Sequence, residues 1–254
     1  MDLVTTGGFS SRAPTPSPRC PLYGTQLALA ELWRFYGVEP AAVVGYSMGE
    51  VAAAVVAGAL DPAEGTRVIA VRSQPLATLR GDGGGGPHRR GTRRHRTAVS
   101  GSPPRRAHLG QKTVTGEAPA VARLVEHLTA QGRTARTMPV EGAGHSPQVE
   151  PLIPELVARL GDVRGRSGTA VRVYPTVHDD PIRSCDFDAA YWVANLRSPV
   201  RPAGALAAAA ADGHTAFVEI SPHPLLPRAL AENLSDALHL PTLRRDDDPA
   251  LEPV

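Results

Sequence analysis

Residues Val43–Leu60 read VVGYSMGEVAAAVVAGAL. An apolar β-branched pair runs into Gly45, as a buried strand does, and an alanine-rich helix follows, stopped by Gly58 and by Asp61-Pro62. At the junction, Gly45-Tyr46-Ser47-Met48-Gly49 fits the pattern G-x-S-x-G. A sharp strand-to-helix turn strains the serine backbone, and the flanking glycines leave room for the crowded chain. The hydroxyl then stands at a helix N-terminus, where the Met48 N–H and the helix dipole support a developing oxyanion. A Gly-Ser-Gly turn can also merely begin a helix. The strand before it and the long helix after it favour a nucleophile.

To either side the same alternation continues. TQLALAELWRFYG, Thr25–Gly37, has apolar residues at Leu27, Leu29, Ala30, Leu32, Trp33 and Phe35 and ends in a glycine, so it predicts a capped helix. Pro62 to Leu79 predicts another. Beyond Thr113, TVTGEAPAVARLVEHLTAQG reads as strand end, turn and helix, and RTARTMPVEGAGHSP as strand then loop. QVEPLIPELVARLG, AAYWVANLR and ALAAAAADGH read as helices, VRVYPTVH and TAFVEI as strands. Alternating strands and helices predict an α/β fold, a mainly parallel sheet with helices on both faces.

The 254 residues suffice for one sizeable domain with an inserted subdomain. With only 4% aromatics the core must be built from Ala, Val and Leu. Net charge is +2, and Lys112 is the only lysine, which points to GC-rich coding rather than a nucleic-acid surface. Cys20 and Cys185 match no metal or redox spacing and read as reduced thiols, so no metal is expected. No signal peptide or membrane-length apolar run is legible, and a cytoplasmic location is expected.

Two stretches break the pattern. Residues 1–20, polar and rich in Pro and Ser, read as a disordered leader. Arg80–Gln111 holds eight arginines, one acid, no aromatic and few large aliphatics. Such a run buries too little apolar area to offset its ordering entropy and is expected to be disordered. Without an aromatic stacking platform it does not read as a nucleic-acid patch.

A serine nucleophile needs a base. His145, in GAGHSP directly after a strand, and His223, between two prolines in SPHPLL, are both candidates by position. An α/β-hydrolase order of Ser47, Asp180 and then His214 or His223 can also be drawn.

GYSMGEVAAAVVAGAL, AVRS, PVEGAGHSPQVEPL, YWVANLRSPVR and FVEISPHPLL together resemble, in order and spacing, the acyltransferase domains of modular polyketide synthases. These are relatives of the malonyl-CoA:acyl-carrier-protein transacylases. The resemblance covers about Leu22–Thr78 and Thr113–Leu243. It implies a hydrolase-like α/β subdomain over 21–79 and 140–245, and a small ferredoxin-like subdomain over 80–139, incomplete here, with 246–254 a tail. It implies Ser47 as the acyl-accepting nucleophile, His145 as its base and Asn195 as an amide that steadies the histidine. Arg72 would pair with a substrate carboxylate, which suits a planar guanidinium. No cofactor is bound permanently; coenzyme A thioester is the substrate, and an acyl carrier protein bearing phosphopantetheine is the partner, with a ketosynthase domain as a further neighbour. A thioesterase or an inactive synthase fragment is the alternative.

Members with Tyr-Ala-Ser-His before the base tend to take methylmalonyl units, and those with His-Ala-Phe-His malonyl. Here the residues are Gly142-Ala143-Gly144-His145, and nothing bulky at Gly144 crowds an α-methyl branch, so a branched extender is expected. Tyr46 stands where a histidine is usual. The family's first strand and its Gly-Gln-Gly motif, which completes the oxyanion hole, are missing from the pattern, so the chain reads as N-terminally truncated. The Arg80–Gln111 run reads as scrambled text of the kind a compensated pair of frameshifts leaves.

Overall fold

The computed structural model describes residues 2–6, 19–78, 96–99, 112–115, 118–138, 144–166, 168–181, 185–224 and 237–244. In chain order these are β1 (Asp2–Thr6), α1 (Arg19–Phe35), β2 (Ala42–Tyr46), α2 (Gly49–Val56), α3 (Pro62–Thr78), β3 (Arg96–Val99), β4 (Lys112–Thr115) and α4 (Ala118–Ala130). After β5 (Ala135–Met138) come a 3-10 turn (Pro147–Leu152), α5 (Ile153–Leu160), β6 (Arg172–Tyr174), α6 (Ala189–Arg197), α7 (Pro202–Ala211), β7 (Ala216–Ile220) and β8 (Leu238–Pro241).

Five strands form one parallel sheet in the order β6-β2-β1-β7-β8. The period-2 alternation of strand side chains sorts its residues between two apolar layers. Val43 of β2 and Val218 and Ile220 of β7 pack with α1, α2, α3, α5 and α6, whereas Ala42, Val44, Tyr174 and Phe217 pack under Ala205, Leu206 and Ala209 of α7. Helices therefore cover both faces, as the alternating pattern predicts.

Helix α2 is buried nearly all round, which is why it carries almost nothing but Ala and Val. It ends as a Schellman motif: Gly58 has φ 74°, its N–H donates to Val55 O at 2.9 Å, and Ala59 N–H donates to Ala54 O at 2.8 Å. The predicted glycine cap of α1 is the same device at Gly37, with Val38 N–H reaching Trp33 O at 3.0 Å. At the start of α6 three aromatic rings cluster: Trp192 is fully buried, with ring centroids 5.1 Å from Tyr191 and 5.8 Å from Phe187. Trp192→Ala is expected to cost about 3–5 kcal/mol of stability, read by denaturant unfolding; a cost under about 1 kcal/mol would contradict this packing.

Two sequence expectations are corrected. The disordered leader over 1–20 contains β1, the central strand of the large sheet, with Leu3 opposite Val43 on one side and Val218 on the other. The first strand thought to be missing is thus present; residues 7–18 lie outside the described residues. Composition averaged over twenty positions hides five residues of which three are β-branched, and their partners lie about forty and two hundred positions away. Within Arg80–Gln111, expected to be disordered, Arg96–Val99 form β3. It is the centre of a three-stranded antiparallel sheet, β4-β3-β5, with pairing on both edges. Burial bookkeeping along one run cannot count a ladder supplied by 112–115 and 135–138. The rest of that run, and the tail 246–254, lie outside the described residues. Strand β8, which the sequence reading did not separate, closes the edge of the large sheet beside β7.

Candidate active site

Ser47 follows directly on β2, beside the central strand, at the carboxyl end of the parallel sheet where α/β folds place their chemistry. Its φ is 55°, the left-handed region that a serine enters only when its surroundings over-determine it. Gly45 explains the motif's first glycine by space: a Cβ there would lie 2.0 Å from Glu50 Cα and 2.4 Å from Glu50 N. The chain doubles back so closely that only hydrogen fits. Ser47 O accepts from Glu50 N–H at 3.1 Å, and Met48 O from Val51 N–H at 3.1 Å, so the helix starts at once. Met48 N–H makes no hydrogen bond among the described residues and lies at the foot of α2, as an oxyanion donor must.

Ser47 Oγ lies 2.6 Å from His145 Nε2. The other ring nitrogen, Nδ1, is 2.8 Å from Ser198 O, and a carbonyl can only accept. The proton therefore sits on Nδ1, Nε2 keeps its lone pair, and the Ser47 hydroxyl donates to it. His145 also has a positive φ, 61°, and its backbone N–H donates to Leu196 O at 2.7 Å. Both acceptors come from the end of α6. Its last carbonyls have no partner within the helix, and Ser198-Pro199 prevents another turn. Ser146, next in the chain, caps the 3-10 turn by accepting from Gln148 N–H, which holds the loop.

One role is corrected. Asn195 is not on the histidine: its amide Nδ2 donates to Glu50 Oε2 at 2.8 Å and to Ser47 O at 3.4 Å, so it steadies the nucleophile's turn. Two backbone carbonyls, Leu196 O and Ser198 O, hold His145, which a motif of side chains does not reveal. Of the hydrolase candidates, His214 stacks edge-on to Tyr174 and His223 O accepts from Ser221 Oγ, while the ring on Ser47 is His145. Arg72 is 4% exposed on α3, which excludes a solvated helix position. Gly144 is buried beside the histidine, and Gly142 lies outside the described residues.

Sequence reasoning assigned no role to Glu50, Thr176 or Tyr191. Glu50 is completely buried. Tyr191 Oη–H donates to its Oε1, Thr176 N–H to the same oxygen at 3.1 Å, and Thr176 Oγ1 lies 2.7 Å from Oε2 and 3.1 Å from Gly45 O. Burial pushes the Glu50 carboxyl above the usual carboxylate range, opposed by those donors, and pushes the Tyr191 phenol up as well. The one available signal was a lone acid in an otherwise apolar run, which reads equally well as an ordinary first-turn carboxylate.

A family model described as "Acyl transferase domain" matches residues 19–252. The chain belongs to that family. A spectinabilin polyketide synthase system protein from Streptomyces orinoci is 42% identical over 243 residues, covering 89% of this chain and 6% of that protein. A phenolphthiocerol/phthiocerol polyketide synthase polypeptide from Mycobacterium tuberculosis is 40% identical over 250 residues, covering 89% of this chain and 16% of that protein. The chain thus spans a small part of the length of these relatives. Among solved structures, the acyltransferase domain of a phenolphthiocerol/phthiocerol synthase from Mycobacterium bovis superposes with a TM-score of 0.83 at 32% identity, covering 96% of this chain and all of that one. An acyl carrier protein S-malonyltransferase from Vibrio cholerae shares the fold, with a TM-score of 0.77 at 18% identity, covering 96% of each chain. The acyl transferase domain family supplies the context for the Ser47–His145 pair, and the acyltransferase expectation stands. No described helix of this domain is long and apolar enough to cross a membrane.

Proposed function

We propose that this acyl transferase domain moves a malonyl-type group from a coenzyme A thioester, through an ester on Ser47, to the phosphopantetheine thiol of an acyl carrier protein in polyketide synthesis. The observation that carries the reading is the 2.6 Å contact of Ser47 Oγ with a histidine nitrogen left unprotonated by its neighbour's bond to Ser198 O. Ser47 Oγ attacks the thioester carbonyl as its proton passes to His145 Nε2. The Met48 N–H faces the developing oxyanion. Collapse expels the coenzyme A thiolate, which takes the proton back from the imidazolium. The carrier thiol then gives its proton to Nε2 and attacks the ester carbonyl, and Ser47 Oγ leaves with that proton. The histidine acts as base and as acid in each half, with no permanent cofactor required.

Arg72, removed from solvent, is the residue for the free carboxylate of the acyl group. The absence of bulk at Gly142 and Gly144 favours an α-methyl branch, hence methylmalonyl. The reading further implies a cytoplasmic setting, a ketosynthase neighbour, and a large unit over 21–79 and 140–245 distinct from a small one over 80–139.

Mass spectrometry of the chain incubated with malonyl-CoA, methylmalonyl-CoA and butyryl-CoA tests this. Acylation at Ser47 by the two dicarboxylic esters is expected, the methylmalonyl ester loading faster. Labelling by malonyl alone overturns the branched preference, and loading by none overturns the transferase. Arg72→Ala is expected to slow dicarboxylic loading about 10–100-fold while leaving butyryl loading as it was, since it removes a charge-assisted bond that only the former make. Equal slowing of all three would remove Arg72 from that role.

A further inference from the structure

We infer that Glu50 is a positioning residue that registers the Ser47 turn on α6, the same helix end that holds His145. The inference rests on Ser47 being the nucleophile and adds a residue to which the transfer reading assigns nothing.

Two halves of the catalytic pair arrive from distant parts of the chain: Ser47 on the β2–α2 turn and His145 on a loop ninety-eight residues later. No bond other than their own contact need set that distance, unless both are fixed to a common body. Helix α6 is that body. Its terminal carbonyls, Leu196 O and Ser198 O, hold the backbone and the ring of His145. One and two turns earlier, Asn195 and Tyr191 project onto Glu50, which sits in the first turn of α2, three residues after Ser47. Thr176, just beyond β6, closes the assembly by contacting Glu50 and Gly45 O, on the last part of β2. Glu50 is thus the point where α2, α6 and the end of β6 meet, and every atom of it is out of water.

The donor count makes the site specific for a carboxyl. Oε1 receives the Tyr191 hydroxyl and the Thr176 N–H; Oε2 receives the Asn195 amide and faces the Thr176 hydroxyl. A glutamine there must place its NH2 on one side. On the Oε1 side it meets the Thr176 N–H, which cannot accept. On the Oε2 side Asn195 can accommodate it only by turning its amide so that Oδ1, which has no hydrogen-bond partner among the described residues, accepts. That flip removes the Asn195 bond to Ser47 O. The first loss falls on Thr176, which holds Gly45 O just before the nucleophile, and the second on Ser47 itself.

The test uses the full chain and a fluorophosphonate that modifies activated serines, with rates measured on protein shown to be folded. Glu50→Gln is expected to slow Ser47 modification about 10–100-fold and to lower kcat for malonyl loading alike, with KM within about threefold of wild type. Tyr191→Phe, which removes a single donor and keeps the ring stack, is expected to slow modification about threefold to tenfold. Leu206→Ala, under the opposite face of the sheet, serves as the purely structural control: lower Tm, unchanged rate per folded molecule. A folded Glu50→Gln that reacts at the wild-type rate overturns the inference. Should Glu50→Gln fail to fold, a folded Tyr191→Phe at the wild-type rate overturns it equally. Wild-type protein that reacts with the fluorophosphonate but takes no acyl group from any coenzyme A ester would sink the transfer reading and leave this one standing.

Discussion

Ser47→Ala is expected to abolish acyl-enzyme formation, a fall of ~10⁴–10⁶-fold in transfer rate. The Ser47 Oγ is the atom to which the acyl group bonds, and it is the hydroxyl in contact with His145 Nε2. Removing the base instead, by His145→Ala, leaves Ser47 in place with its proton retained, and a loss of about 10²–10⁴-fold follows. The two act as one unit, so the double variant should be little worse than Ser47→Ala alone. Stoichiometric acylation followed by intact-mass measurement separates the cases: no adduct for Ser47→Ala, a slow adduct for His145→Ala. Full acylation of His145→Ala would return the chain to a hydrolase-like arrangement built on another histidine.

Gly45→Ala should be nearly as damaging, through geometry rather than chemistry. The added methyl carbon would overlap the backbone of Glu50, and no flexible side chain is there to yield. Either β2 or the first turn of α2 must move, and both are locked: β2 lies between β1 and β6, and α2 is buried on nearly every side. A cost of about 3 kcal/mol or more is expected, with a fall in Tm of roughly 6–12 °C. Displacement of the turn also misplaces Ser47 relative to His145, so fluorophosphonate labelling of the folded fraction should drop with it. An unchanged Tm together with wild-type labelling would show that the strand and helix do not approach as closely as described.

The strand-turn-helix at 43–60, the caps at Gly37 and Gly58, and the helices of 118–130 and 189–197 were legible because each is written in a local period or a single glycine. Ser47 was legible for the same reason, since a nucleophile turn is a short pattern; position alone left His145 and His223 both open, and only the family resemblance singled out His145. The central strand β1 was not. Five residues in a Pro- and Ser-rich setting acquire their conformation from partners at 43–46 and 217–220, and no local pattern announces a parallel pairing. Strand β3 escaped for a like reason, sitting in an arginine-rich run whose composition argued against any order.

Asn195 marks the boundary between the two kinds of information. The family resemblance of YWVANLR placed it at the site and gave it the histidine as partner; the fold turned its amide toward Glu50 and Ser47 O instead and gave the histidine to two carbonyls. Residue types and spacing determine which groups a site contains, because period and turn chemistry act over a few positions. Which of them meet, and through which buried carboxyl they are held in register, depends on where α6 packs against α2. That is settled only when the sheet closes and water is excluded from the contact.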